Sequence, residues 1–264
     1  MEGRDSSAAP SAPPAAAEAG PADPDARGVA PLPAAGVHVQ QQLAWDCGLA
    51  CAEMALRVLG LWREGRHSQL ALRALVASPS NSVWTIDVCL MLRALGARAL
   101  TLHTLVAGVD PSHAALAYYA GAALGARDGE GARIAAAFAQ AAALGLPVRA
   151  PSALPASHLA ERLQRRSHAY IALVDLRLMQ CEACGEGHSP TELARLARPH
   201  EYWGHFVLLY GFDAASGRVS YLDPSALASP RGCAMAGAAL HAARCAQGTD
   251  QDLIEIELPA RGSD

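Results

Sequence analysis

QQLAWDCGLACAEMALRVLG, residues 41–60, sets two amides and an acid ahead of Cys47 and then runs into an apolar stretch. Leu49, Ala50, Met54, Leu56, Val58 and Leu59 recur at mostly helical spacing, and Gly60 follows as a stop. The spacing predicts a helix from Asp46 or Cys47 to Leu59, with Asp46 as its N-cap. The thiol then stands at the first turn, where the positive end of the helix dipole favours the nucleophilic thiolate. Cys51 lies one turn on along the same side and reads as core packing.

Further along, Trp84-Thr85-Ile86-Asp87 opens a second helix, with Thr85 as cap and Gly96 as stop, and residues 131–144 and 157–166 read as two more. The pattern then changes. Residues 169–174, 205–210 and 218–222 are apolar runs of strand length, and the turn at 213–217 makes the last two antiparallel neighbours. Helices first and strands later predict an α+β fold, with N-terminal helices packed on a C-terminal antiparallel sheet.

Residues 1–36 are dense in Ala, Pro, Gly and acids and nearly lack large apolar side chains, so they read as a disordered tail ahead of one domain spanning residues 37–264. Glu2, Asp5, Glu18, Asp23 and Asp25 break the pattern of a secretory or transit leader, which predicts a soluble cytoplasmic or nuclear protein. No apolar run is long enough to span a membrane. A formal charge of −4 without a sustained basic run argues against nucleic acid or an anionic membrane as partner. The seven cysteines are an odd number, read as mostly reduced thiols.

His205 opens a strand after Gly204, from where its ring can project towards a neighbouring element and serve Cys47 as base. Asp223 closes the strand paired through the hairpin and is placed to hold the imidazole tautomer. Gln41, six residues before the thiol, is placed to donate to an oxyanion. Each residue alone has an ordinary structural reading; the chain order Gln41, Cys47, His205, Asp223 gives them chemical meaning together.

The run from Gln41 to Cys51 resembles the start of C39-like papain-fold cysteine peptidases: a Gln, four residues, then Asp-Cys-Gly. Trp45 to Cys51, Trp84 to Asp87, Gly108-Val109-Asp110, Gly204-His205-Phe206 and Gly248-Thr249-Asp250 together resemble the eukaryotic guanylyl cyclase domain-containing family. That likeness covers about residues 37–257. It implies a papain-like fold with Cys47 as nucleophile, His205 as base, Asp223 as orienting acid and Gln41 as oxyanion donor. Hydrolysis of a peptide or isopeptide bond, with a peptide or protein as substrate, is then the expectation.

The family's name implies another activity, cyclisation of GTP to cGMP. That chemistry commonly uses Mg²⁺ or Mn²⁺ held by carboxylates. No Gly-rich phosphate loop of either common pattern is present, and spacing does not group Asp87, Asp110 and Asp175. A third reading is a catalytically silent papain-like module that binds protein partners. No cofactor is expected, with one structural alternative: Cys181 and Cys184, followed by His188 and His200, have the spacing of half a zinc site without a second cysteine pair. Trp45 and Trp203 are candidates for the walls of a cleft.

Overall fold

The computed structural model describes residues 36–76, 82–122, 129–181, 201–225 and 232–259. The expected tail, apart from Gly36, lies outside them, as do Cys184, His188 and His200 of the expected half zinc site. The described chain is α+β around one seven-stranded sheet.

Helix α1 spans Cys47–Val58, with α2 at Gln69–Arg73 and α3 at Thr85–Ala94. Strand β1 (Leu100–His103) follows, then α4 (Ala117–Ala122), α5 (Glu130–Ala143), β2 (Val148–Arg149) and α6 (Ala156–Gln164). The second half holds β3 (His168–Asp175), β4 (Gly204–Asp213), β5 (Arg218–Leu222), β6 (Cys233–Ala236), α7 (Gly237–Arg244) and β7 (Leu253–Glu257). Strands and helices are thus interleaved, which corrects the expected order of helices first and strands later.

The sheet order is β2-β1-β7-β3-β4-β5-β6, antiparallel at every junction except β1 with β2. Successive side chains on a strand face opposite sides, and here both sides are covered. Ile171 and Leu208 enter the core formed with α1, α3 and α5, whereas Tyr170, Ala172, Val207 and Leu209 enter a second core with α6 and α7. Burial on both faces is why these strands read as continuous apolar runs rather than alternating ones. Among the described residues no helix is long and apolar enough to cross a membrane.

Two expected caps are rearranged. Asp46 occupies the N-cap position of α1 without capping it; its Oδ1 instead accepts from the N–H groups of Gln42 and Leu43, and Oδ2 pairs with Arg73. The acid fixes the loop before the helix. Thr85 is the first residue of α3 rather than its cap, and Asp87 reaches back to accept from Trp84 N–H at 3.0 Å.

Candidate functional site: a cleft above Cys47

Gly48 explains how thiol and imidazole meet. A Cβ there would lie 3.1 Å from Phe206 Cδ2 and 3.2 Å from Val88 Cγ2, so the missing side chain lets the start of α1 approach β4. Cys47 is 8% exposed at that junction. His205, one residue before Phe206, places Nε2 2.8 Å from Asp223 Oδ1. The sulfur of Cys47 is close enough to the ring to add to the groups that favour its charged form. Burial disfavours the charged ring, but the charge and hydrogen bond of Asp223, helped by Cys47, outweigh it and lift the imidazole to about 10. At neutral pH His205 is therefore an imidazolium held against a carboxylate. Cys51, one turn below Cys47, is fully buried, and burial pushes its thiol well up, consistent with packing.

Of the four residues expected to work together, Cys47, His205 and Asp223 are brought together; Gln41 is placed differently. Its backbone N–H donates to Pro224 O at 2.7 Å, which ties it to the turn after Asp223, but its side-chain Nε2 donates to Leu43 O at 2.8 Å.

Cys47 opens onto a cleft of about 300 Å³. Its walls are aromatic, with Trp45, Trp84, Tyr118, Tyr119, Tyr202 and Trp203, and one end carries Asp250 and Asp252. Tyr119 stacks near Tyr202 with ring centres 5.8 Å apart, and its hydroxyl donates to Gly248 O at 2.6 Å. Gly204 is packed under two phenols: a Cβ there would stand 2.8 Å from Tyr202 Oη. Trp84 is anchored from behind, its indole N–H donating to Glu130 Oε1 at 3.0 Å, while Arg133 forks onto Asp87 at 2.7 and 3.0 Å and also binds Glu130. Arg133→Lys is expected to cost about 2 kcal/mol in a denaturant melt, since one ammonium cannot match two forked carboxylate contacts. A loss below about 0.5 kcal/mol would show the fork to be dispensable.

The acidic end was not legible in sequence. Asp110, His113 and Asp250 come together, with ligand-type atoms all within 4.8 Å of one another, and His113 Nε2 stands 3.0 Å from Asp250 Oδ1. Asp252 lies beside them, its carboxyl pushed up to about 7 by burial. Asp87 and Asp175, weighed with Asp110 from the sequence, are instead bound to Arg133 and Arg177. The signal that could have found the cluster was the pair of motifs Gly108-Val109-Asp110 and Gly248-Thr249-Asp250, whose acids meet across the fold.

A family model described as guanylylate cyclase matches residues 37–256, which includes every residue of the cleft. The chain belongs to the guanylylate cyclase family. It is also 27% identical over 225 residues to Guanylyl cyclase 1 of Arabidopsis thaliana, covering 84% of this chain and 75% of that protein. This membership overturns the expectation of a thiol hydrolase acting on peptide or isopeptide bonds through a thioester at Cys47. The geometry supplies a physical reason too: the amide donor assigned to the oxyanion is already given to Leu43 O.

Proposed function

We propose that the cleft takes a guanine nucleotide and that the protein cyclises GTP to cGMP. One observation carries the reading: a cleft with aromatic walls and a carboxylate end, in a chain of the guanylylate cyclase family. The name of the Arabidopsis relative supports the same activity. A purine offers a flat π-face, and stacking on aromatic side chains is worth about 1–3 kcal/mol per base. Trp84 and Trp203, on the cleft walls, are the stacking partners.

In the reaction, ribose O3′ bonds the α-phosphorus, the bond from that phosphorus to the bridging oxygen breaks, and pyrophosphate leaves. The O3′ proton passes to the acidic end, where Asp252 Oδ1 is buried without a hydrogen-bond partner among the described residues. His205 acts from below as fixed positive charge, kept charged by Asp223, beneath the developing negative charge on phosphate. Cys47 separates that charge from the cleft. Gln41, bonded to the 223–224 turn, positions the loop that leads into Cys47. We also propose that this layout, a helix-start thiol packed on a strand that bears the imidazole, is papain-like.

The test incubates purified protein with GTP and Mg²⁺ or Mn²⁺ and measures cGMP against heat-inactivated protein. Product above that control is expected, and Trp84→Ala should raise KM for GTP about tenfold, as the loss of one stacking contact predicts. Absence of cGMP would sink the reading.

A further inference from the structure

The cleft lining contains two carboxylates, Asp250 and Asp252, and no lysine or arginine among the described residues. A triphosphate carries its own negative charge, so it cannot approach this end unless a cation stands between them. Three side chains from two distant parts of the chain converge there. Asp110 sits at the N-cap of a 3₁₀ turn, Pro111–Ala115, whose Ser112 N–H donates to Asp110 Oδ1 at 2.8 Å. His113 lies within the same turn. Asp250 comes from the tight turn before β7, where it and Gln251 adopt positive φ values of 49° and 53°.

The state of His113 points to a ligand. The residue is 1% exposed, yet neither ring nitrogen makes a hydrogen bond among the described residues. A buried imidazole normally uses both nitrogens. Here Nε2 lies 3.0 Å from Asp250 Oδ1 without the alignment of a hydrogen bond. The ring is clamped by stacking on Tyr119, with centres 4.3 Å apart and planes 2° from parallel. Among the described residues Asp252 Oδ1, beside it, is a second buried polar atom lacking a hydrogen-bond partner, although the carboxyl group as a whole is met by Thr104 and Thr85.

We infer that Asp110, His113 and Asp250 form a divalent-cation site at the acidic end of the cleft. In an octahedral site with bonds of about 2.1 Å, ligand atoms stand about 3 to 4.2 Å apart. The three donors, all within 4.8 Å of one another, need only a small inward movement to reach that spacing. Two carboxylates favour hard ions and one imidazole adds borderline character, so the donor set suits Mn²⁺. Three protein ligands leave positions for water or phosphate oxygens. The cation's role in admitting triphosphate rests on the nucleotide reading; its binding to the protein does not.

The experiment titrates Mn²⁺ into the full, EDTA-treated chain and follows loss of the free-ion signal by electron paramagnetic resonance. Wild type should bind one Mn²⁺ per chain. Asp110→Asn and Asp250→Asn should each weaken binding at least tenfold, whereas Asp213→Asn, on an exposed hairpin, should match wild type. Asn at position 110 preserves the acceptor for Ser112 N–H, so that variant keeps its fold, as a thermal melt checks. Absence of stoichiometric binding, or equal binding by wild type, Asp110→Asn and Asp250→Asn, would overturn the site. Stoichiometric binding lost in both variants, with no cGMP formed, upholds the site and removes the nucleotide reading. Formation of cGMP by metal-stripped protein overturns the cation's assigned role while leaving that reading in place.

Discussion

His205→Ala is expected to lower the free energy of unfolding by about 3–5 kcal/mol in a urea melt at neutral pH, the usual cost of stranding one member of a buried ion pair. Its partner Asp223 is 2% exposed. Once the ring is gone, Asp223 Oδ1 retains the Ser225 N–H at 2.8 Å but has lost its counter-charge. Adding Asp223→Asn to the variant removes the stranded charge and should recover part of the loss. A cost below about 1 kcal/mol would mean that water reaches the carboxylate, and the pair would then be a surface interaction.

The same pair sets a pH window. The folded imidazole titrates at about 10, above the ordinary value of 6.5. A group raised on folding stabilises fully below its unfolded value and loses that contribution as pH climbs through the folded one. Stability from His205 should therefore be complete below about pH 6.5 and fade towards pH 10. His205→Gln should flatten that part of the stability profile; an unchanged slope would place the titration elsewhere.

Gly248→Ala carries the second large effect. The residue has φ +98°, and an added Cβ would lie 2.9 Å from both Leu116 Cδ1 and Tyr202 Cδ1. Left-handed strain and overpacking together should cost about 3 kcal/mol. For a chain of this size the corresponding fall in Tm is about 6–12 °C. The change also reaches the cleft, because Tyr202 is one of its walls and Gly248 O receives the Tyr119 hydroxyl. KM for GTP should rise in the same variant. A Tm within about 2 °C of wild type would show that Tyr202 yields freely and that the wall is not fixed.

The parts of the molecule that local chemistry dictates were legible in the sequence. Helix α1 was marked by apolar spacing and its Gly stop, and β3, β4 and β5 by continuous apolar runs bounded by turn residues. The meeting of Cys47, His205 and Asp223 followed from where those elements start and end. What sulfur, imidazole and carboxylate do together did not follow, because the same three groups can serve as nucleophile machinery or as a charged floor. The cleft's contents decide that.

The acidic end was hidden for a different reason. Asp110 and Asp250 are brought together by strand order, and no spacing rule reaches that far along a chain. Strand β2 is two residues long, too short for any period to register. Strand β7, Leu-Ile-Glu-Ile-Glu, carries two acids, and Glu255 is compatible with a half-buried place because Arg162, His103, His168 and the Tyr170 hydroxyl meet it there. Partners that make a buried charge tolerable are a tertiary fact.

The position of β7 has a consequence for folding. It lies between β1 and β3, so those strands touch each other only through it. Among the described strands β7 is the last in chain order, so until it is in place the rims of β1 and β3 that it covers stay unpaired. On the β1 side the closure pairs residues as far apart in the chain as His103 and Leu253, a slow kind of contact to form. Asp250 and Asp252 lie just ahead of that closing segment, so the acidic end of the cleft is assembled together with the strand that closes the sheet.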